Sequence, residues 1–385
     1  MIRHLFKLIW NKKKTHALVL VEIWASFLVL FGLTSLIVYN FRNYREPLGF
    51  EYRNVWAISL NSNQDSVEVA AKIERVLQRI KAYSDVESAS RMSNNFPFAQ
   101  STMNNGIEYN KKNVLADFFS TDEHFAETLA IPIAEGRWYR SADSVGKYTP
   151  IVINRKLKEA LFGEVENPLG KIVGDRFKVI GVVNTFKSKG EFMADKPAVF
   201  ELLDAKSPWN DLLLIRVKPG TDALFEARLV KDITAMVTGW SVEVDYLTDS
   251  HKNQQNLTLV PMIIFLIVSG FLLINVALGL FGVLNLSIAK RRGEIGLRRA
   301  LGATGSGISR QFIGEIWVLA TFGLLIGLLF AAQFPLLNVF DLEAGIYLTA
   351  IMLSVLIIYG IVTLCALFPS RQAAQIQPAV ALHEE

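Results

Sequence analysis

Residues 290–303 read KRRGEIGLRRALGA, and the placement of this stretch decides how the rest of the chain folds. A long apolar segment, residues 258–289, precedes it, and another begins near Phe312. Lys290, Arg291, Arg292, Arg298 and Arg299 stand against a single acid, Glu294, so the run is a short basic loop held at a membrane face between two spans. Drawn as a helix at about 100° per residue, Gly296, Leu297, Ala300 and Leu301 share one side. Arg291, Arg292, Glu294, Arg298 and Arg299 share the other, and Glu294 precedes Arg298 by one helical turn, the favourable order for an ion pair. Ile295 projects from the middle of this charged face. An apolar side chain displayed among charges is what a small docking element needs to seat in a partner's groove. The plainer reading of the same residues is a topology-setting basic loop that exposes one Ile.

The chain has 385 residues, of which 51% are hydrophobic and only 20% charged, too apolar a balance for an ordinary water-soluble protein. Four runs, residues 17–40, 258–289, 312–335 and 345–368, supply the roughly 20 apolar residues that a bilayer crossing takes. The net charge of +4 is mild and gives no reason to expect nucleic acid. Its placement carries the information. Arg3, Lys7, Lys12, Lys13 and Lys14 lie before the first span and the arginine-rich loop follows the second, whereas the connection between the third and fourth holds only Asp341 and Glu343. Basic residues collect on the cytoplasmic side, so both termini and residues 290–311 are expected there, with residues 41–257 outside. Residues 1–16 interleave apolar and basic side chains like a helix lying on the inner leaflet, and the first span reads as a retained anchor. Residues 369–385 form a cytoplasmic tail.

The fold class expected is therefore a four-helix membrane protein carrying a large extracytoplasmic α+β domain. Within that domain, two strand–helix–strand patterns, at residues 50–115 and 205–250, flank a middle rich in short strands. They suggest a split subdomain built from both ends, with a β-rich subdomain inserted at residues 115–205. Inside the membrane, Asn275 and Asn285 are expensive in lipid and are expected to face another helix. Gly279 and Gly282 would allow close approach there, and Gly323 with Gly327 form a GxxxG pair in the third span. Glu22, a few residues into the first span, is an intramembrane acid close to the interface. The lone Cys365 lies inside the fourth span, where a small apolar role fits it best.

The basic loop also carries a string, R-x-x-E-I-G-x-R-R-A-x-G-A, on Arg291 or Arg292, Glu294, Ile295, Gly296, Arg298, Arg299, Ala300, Gly302 and Ala303. It resembles the cytoplasmic loop of the FtsX-like/MacB-type ABC transporter permeases. Residues 124–138 (HFAETLAIPIAEGRW), 151–170 (IVINRKLKEALFGEVENPLG) and 177–186 (FKVIGVVNTF) resemble stretches of that family's outer domain. Residues 369–382 (PSRQAAQIQPAVAL) resemble its closing pattern, with Gln372 where the family has a second Arg. The resemblance implies a permease subunit in the bacterial inner membrane, paired with a second copy or a paralogue and with two copies of a separate ABC ATPase. ATP and magnesium would be bound by that ATPase, and no cofactor by this chain. Arg291, Arg292, Glu294, Ile295, Gly296, Arg298, Arg299 and Gly302 would couple to it. Motion would pass to the outer domain for export, efflux or extraction of a substrate, with a periplasmic or outer-membrane partner left open.

The sequence offers no catalytic centre. Residues 163–171 (GEVENPLGK) mimic a phosphate-binding loop, but the glycine spacing is too long and Ile172 stands where a Ser or Thr would ligate magnesium. His4, His16, His124, His251 and His383 are scattered without metal-ligand spacing. A different class of function fits the same topology: a membrane-anchored sensor or scaffold whose outer domain binds a ligand and whose basic loop recruits a cytoplasmic protein.

Overall fold

The computed structural model describes residues 13–204, 211–337, 339 and 342–377. The expected N-terminal surface helix and the end of the tail, including Pro378, Ala381 and Leu382, lie outside the described residues or their described side chains. The chain forms two units, a helical one and a sheet one, with boundaries after Phe41 and after Thr258.

In the sheet unit, β1 (Val55–Asn61), helix α2 (Val69–Lys81) and β2 (Val86–Met92) follow helix α1 (Lys13–Tyr44). A middle section supplies β3 (Asn104–Tyr109), β4 (Lys112–Thr121), β5 (Ile133–Gly136), β6 (Thr149–Asn154), helix α3 (Arg155–Phe162), β7 (Ile172–Val173), β8 (Phe177–Val183) and β9 (Ala198–Leu202). Then come β10 (Leu212–Val217), helix α4 (Ala223–Met236) and β11 (Ser241–Tyr246). The outer strands assemble antiparallel in the order β11-β1-β10-β2, the arrangement of a split βαβ unit. Period-two alternation lets β1 serve two cores at once. Trp56, Ile58 and Leu60 face α2 and α4, whereas Val55 and Ala57 face an aromatic core with Phe50, Phe119, Phe186 and Phe200. Helix α2 answers with Ile73, Val76, Leu77 and Ile80, one helical stripe.

The middle section is continuous with this sheet, giving 11 strands in all among the described residues. Its junction is narrow: β2 meets β4 through the single pair Met92 and Thr121. β3 pairs with β4 along its length through a two-residue turn, Asn110 and Lys111, both at positive φ. Residues 104–115 therefore belong with the middle strands, on the other side of the boundary expected at 115. The β2 strand ends at Met92 and reaches only the far end of β4, while β3 is paired to β4.

Among the described residues, the helical unit holds four helices long and apolar enough to cross a membrane. They are α1, α5 (Leu247–Lys290), α7 (Gly305–Ala331, with a further turn at Gln333–Leu336) and α8 (Ala344–Ala374), while the short α6 (Arg292–Ala300) sits between α5 and α7. Pro261 lies within α5 without ending it. The GxxxG pair is a close-packing site. A Cβ on Gly323 would fall 2.8 Å from Ile23 Cγ2, and one on Gly327 would overlap the Phe27 ring, so α7 rides directly on α1. Hydrogen bonds pin α8 to its neighbours: Trp317 Nε1 donates to Thr363 Oγ1 at 2.9 Å, and Thr34 and Ser354 hydroxyls meet at 2.8 Å. Helix α5 is the peripheral member. Only 6% of its apolar window is buried, against 44% for α1, and it packs through Val276, Leu280 and Leu284.

The polar and glycine residues of α5 divide. Gly279 takes the Glu22 carboxylate, whose Oε2 would lie 2.7 Å from a Cβ there. Gly282, expected to allow close approach, has nothing within 4 Å of an added Cβ among the described residues. Asn275 donates from Nδ2 to Phe271 O at 2.8 Å, a carbonyl of its own helix, in place of the interhelical contact expected. A side chain that reaches back one turn satisfies its donor without a neighbour. Asn285 is half-buried.

Two predictions follow from this packing. Gly327→Leu is expected to destabilise the helical unit by about 1–3 kcal/mol, read as a lower apparent melting temperature in detergent. Gly314→Leu, where nothing lies within 4 Å of a Cβ, should leave it unchanged. In the sheet unit, burial raises the Asp195 carboxyl to about 6, although the Phe186 N–H and Asn154 hydrogen-bond it. The folded state thus holds a proton that the unfolded chain has released, so stability falls as pH rises from about 4 to about 6 and stays low above that. Asp195→Asn should flatten this dependence, measured as the melting-temperature difference between pH 5 and pH 7.

Candidate basic element for partner coupling

Helix α5 ends at Lys290, and Arg291 (φ −114°, ψ 15°) turns the chain into the nine-residue α6. The sequence sets both ends of α6. Glu294 lies in its first turn and Arg298 and Arg299 in its last, each sign matched to the helix dipole. The expected ion pair is present, with Arg298 Nη2 2.5 Å from Glu294 Oε1. At the other end Gly302 adopts φ +94°, its N–H donating to Arg299 O at 3.1 Å while the Ala303 N–H donates to Arg298 O at 3.0 Å. That double closure is a Schellman motif, and its positive φ suits glycine. Gly302 therefore acts on the backbone, ending the helix. Thr304 then caps α7, its Oγ1 accepting from the Gly307 N–H at 3.2 Å.

The burial of α6 reverses part of the sequence reading. Ile295 is 4% exposed and belongs to the same buried cluster as Ile308, Phe312 and Ile316, so it is not displayed among the charges. Gly296 is buried beside it. Leu297 and Leu301, on the helix side they share with Gly296 and Ala300, are 52% and 80% exposed. A helical wheel gives the relative angles of side chains, but the turn at Arg291 decides which sector meets the bundle. The exposed apolar residues of α6 are thus Leu297 and Leu301, with Glu294, Arg298 and Arg292 exposed around them.

Charge–charge contacts fix α6 against α7. Arg291 Nη1 lies 2.9 Å from Glu315 Oε1, with the two side chains 16% and 15% exposed. Gln311 joins the network, accepting from Arg298 Nη1 at 2.7 Å and donating to Glu315 Oε1 at 3.2 Å. Arg299 folds inward. Its Nε is buried without a hydrogen-bond partner among the described residues, and its Nη1 would lie 3.5 Å from a Cβ on Gly305. The end of α8 closes the same corner, with Ala374 O against Gly305 and the Ser309 and Ser370 hydroxyls 3.0 Å apart. Glu315 escaped the sequence reading. The signal was an acid three residues inside an apolar span, next to an arginine-rich loop.

Residues 25–232 match the family profile described as MacB-like periplasmic core domain, and residues 266–378 match the one described as FtsX-like permease C-terminal. The macrolide export ATP-binding/permease protein MacB of Neisseria meningitidis serogroup A is 25% identical over 294 residues, covering 72% of this chain and 45% of that protein. The pyoverdine export ATP-binding/permease protein PvdT of Pseudomonas syringae pv. tomato is 28% identical, covering 69% of this chain and 42% of that protein. The chain thus spans about half the length of the curated relatives it matches. The solved periplasmic region of MacB from Actinobacillus actinomycetemcomitans aligns at 16% identity and a TM-score of 0.39, covering 56% of this chain and 97% of that one.

Removing one side of the Arg291–Glu315 pair leaves a charge stranded in a largely buried site. Glu315→Gln is expected to destabilise the helical unit by about 2–4 kcal/mol, and Arg291→Met combined with Glu315→Leu to recover part of the loss. Melting of the reconstituted chain checks both. Ile295→Asp should act the same way, lowering the amount of folded protein.

Proposed function

The chain belongs to the MacB/FtsX-type ABC permease family, and from that premise we propose that it is the membrane subunit of an ABC system whose ATPase is a separate chain, and that it transmits ATP-driven motion. ATP and magnesium are bound by two copies of that partner, and two permease chains pair, with the weakly buried α5 offering its apolar face to the second copy or to lipid. The single observation that carries the reading is α6 itself. It is capped at its end by Gly302, pinned to α7 through Arg291 and Glu315, and presents Leu297 and Leu301 among charged side chains. A nine-residue helix so fixed can be moved by a partner without unfolding.

In this reading the basic element is cytoplasmic, as the distribution of Lys and Arg around the spans argues, and the sheet unit is periplasmic, with the protein in the bacterial inner membrane. Closure of the nucleotide-binding subunits pulls α6. Helix α5, Leu247–Lys290, carries that motion outward together with α1. The relatives' names, macrolide export and pyoverdine export, support export of a small molecule as the outcome. Glu294, Arg298 and Arg299 act here by shaping and orienting α6, while Leu297 and Leu301 make the apolar contact.

Leu301→Asp, at an 80% exposed position, is expected to abolish most ATPase stimulation and co-purification of the ATPase while membrane insertion is unchanged. Glu294→Lys should do the same. Unchanged stimulation in both variants overturns the docking role. Co-purification of a cytoplasmic protein without ATPase activity would favour a sensor or scaffold.

A further inference from the structure

In the sheet unit, the chain leaving α1 and the first turns of α5 are both held by one loop, residues 184–197, between β8 and β9. On the α1 side, Lys187 has a side chain only 1% exposed, 3.1 Å from Glu46 Oε2, and donates from Nζ to Asn43 O at 2.6 Å. Asn43 Nδ2 donates back to Phe192 O at 2.9 Å, and Tyr44 stacks on Phe192 with ring centroids 5.7 Å apart. The Lys187 N–H donates to Leu48 O at 2.9 Å, and Gly49 (φ +88°) presses so closely that a Cβ there would overlap Thr185 O.

On the α5 side the loop divides one carboxylate. Glu191 Oε2 lies 2.7 Å from His251 Nε2, and Glu191 Oε1 accepts from Gln255 Nε2 at 2.6 Å, one turn further along the helix. His251 is 7% exposed, with its ring centroid 4.4 Å from that of Tyr52 and 4.8 Å from that of Phe98. Burial pushes the Glu191 carboxyl up, but hydrogen bonds from His251, its own backbone and Gln255 outweigh that and hold it below the usual range. Behind the loop, Lys189 Nζ donates to Ala99 O at 2.5 Å and Ser101 O at 2.8 Å, and the Phe98 N–H donates to Ser188 O at 2.7 Å.

A buried lysine and a largely buried glutamate are costly in a loop unless paired, and these pair chiefly with the two helix ends. The shape of the loop and the positions of those ends therefore depend on one another. We infer that residues 184–197 form a clasp that ties the α1 and α5 ends to each other and to β8 and β9. Displacement of either helix end reaches the sheet and the other helix through it. Only the source of that displacement rests on the transmission reading above.

Hydrogen exchange of the full chain in lipid nanodiscs, without nucleotide or ATPase, tests the clasp. Glu191→Gln and His251→Phe, the latter keeping the ring packing, should each speed exchange of residues 247–257 by about tenfold. Lys187→Met should speed exchange of residues 42–48 and also, across the loop, of residues 247–257. Asn43→Ala gives the same reading through a milder change. The clasp is overturned if the α1-side variants leave residues 247–257 at the wild-type rate, or if Glu191→Gln and His251→Phe do so. Because no ATPase is present, that failure would leave the transmission reading standing. Lost sensitivity of ATPase coupling to α6 variants would sink that reading and leave the clasp intact.

Discussion

The buried pairing of Arg291 with Glu315 is the interaction on which the geometry of the basic element rests. It holds the turn between α5 and α6 against the first turns of α7, and the Glu294, Arg298 and Gln311 contacts extend from it. A charge pair this sheltered adds little net stability compared with apolar packing, but its orientation is demanding. With that turn fixed, Ile295 points into the bundle and Leu297 and Leu301 point away from it. The apolar surface that α6 exposes is therefore set by a contact on its opposite, sheltered side.

Much of this was legible in the residues alone. Four spans, the helical ion pair from Glu294 to Arg298 and the close packing at Gly323 and Gly327 follow from hydropathy, from i,i+4 spacing and from small-residue pairs. The orientation of α6 was not legible, because a nine-residue helix with apolar residues on two sectors can bury either one. Gly302 was visible as a residue but not as a backbone device, since its role depends on the left-handed φ that closes the helix. Asn275 illustrates the same limit: its polarity in a span was plain, its choice of its own helix as partner was not.

In the sheet unit the legible part was the strand–helix–strand pattern at each end, because amphipathic helices and alternating strands carry strong periodic signals. The affiliation of β3 was not legible, since a hairpin belongs wherever its long partner strand goes. The loop between β8 and β9 was still less visible. Lys187 and Glu191 read as ordinary surface charges in sequence, and only the approach of Asn43, Glu46, His251 and Gln255 makes them structural.

The strand order β11-β1-β10-β2 has an architectural consequence. β1 and β11 are antiparallel neighbours, with Trp56 opposite Tyr246, so the chain enters the sheet and leaves it at the same end, about one strand spacing apart. The section from β3 to β9 joins that platform through one ladder pair, Met92 with Thr121, and through the aromatic core that Phe119, Phe186 and Phe200 share with Val55 and Ala57. The pairing of β1 with β11 sets the spacing of the two tethers, and the inserted section adds its own hold on them through Lys187 and Glu191. The inserted section can then grow or shrink only where it keeps that aromatic face and a loop able to grip both tethers.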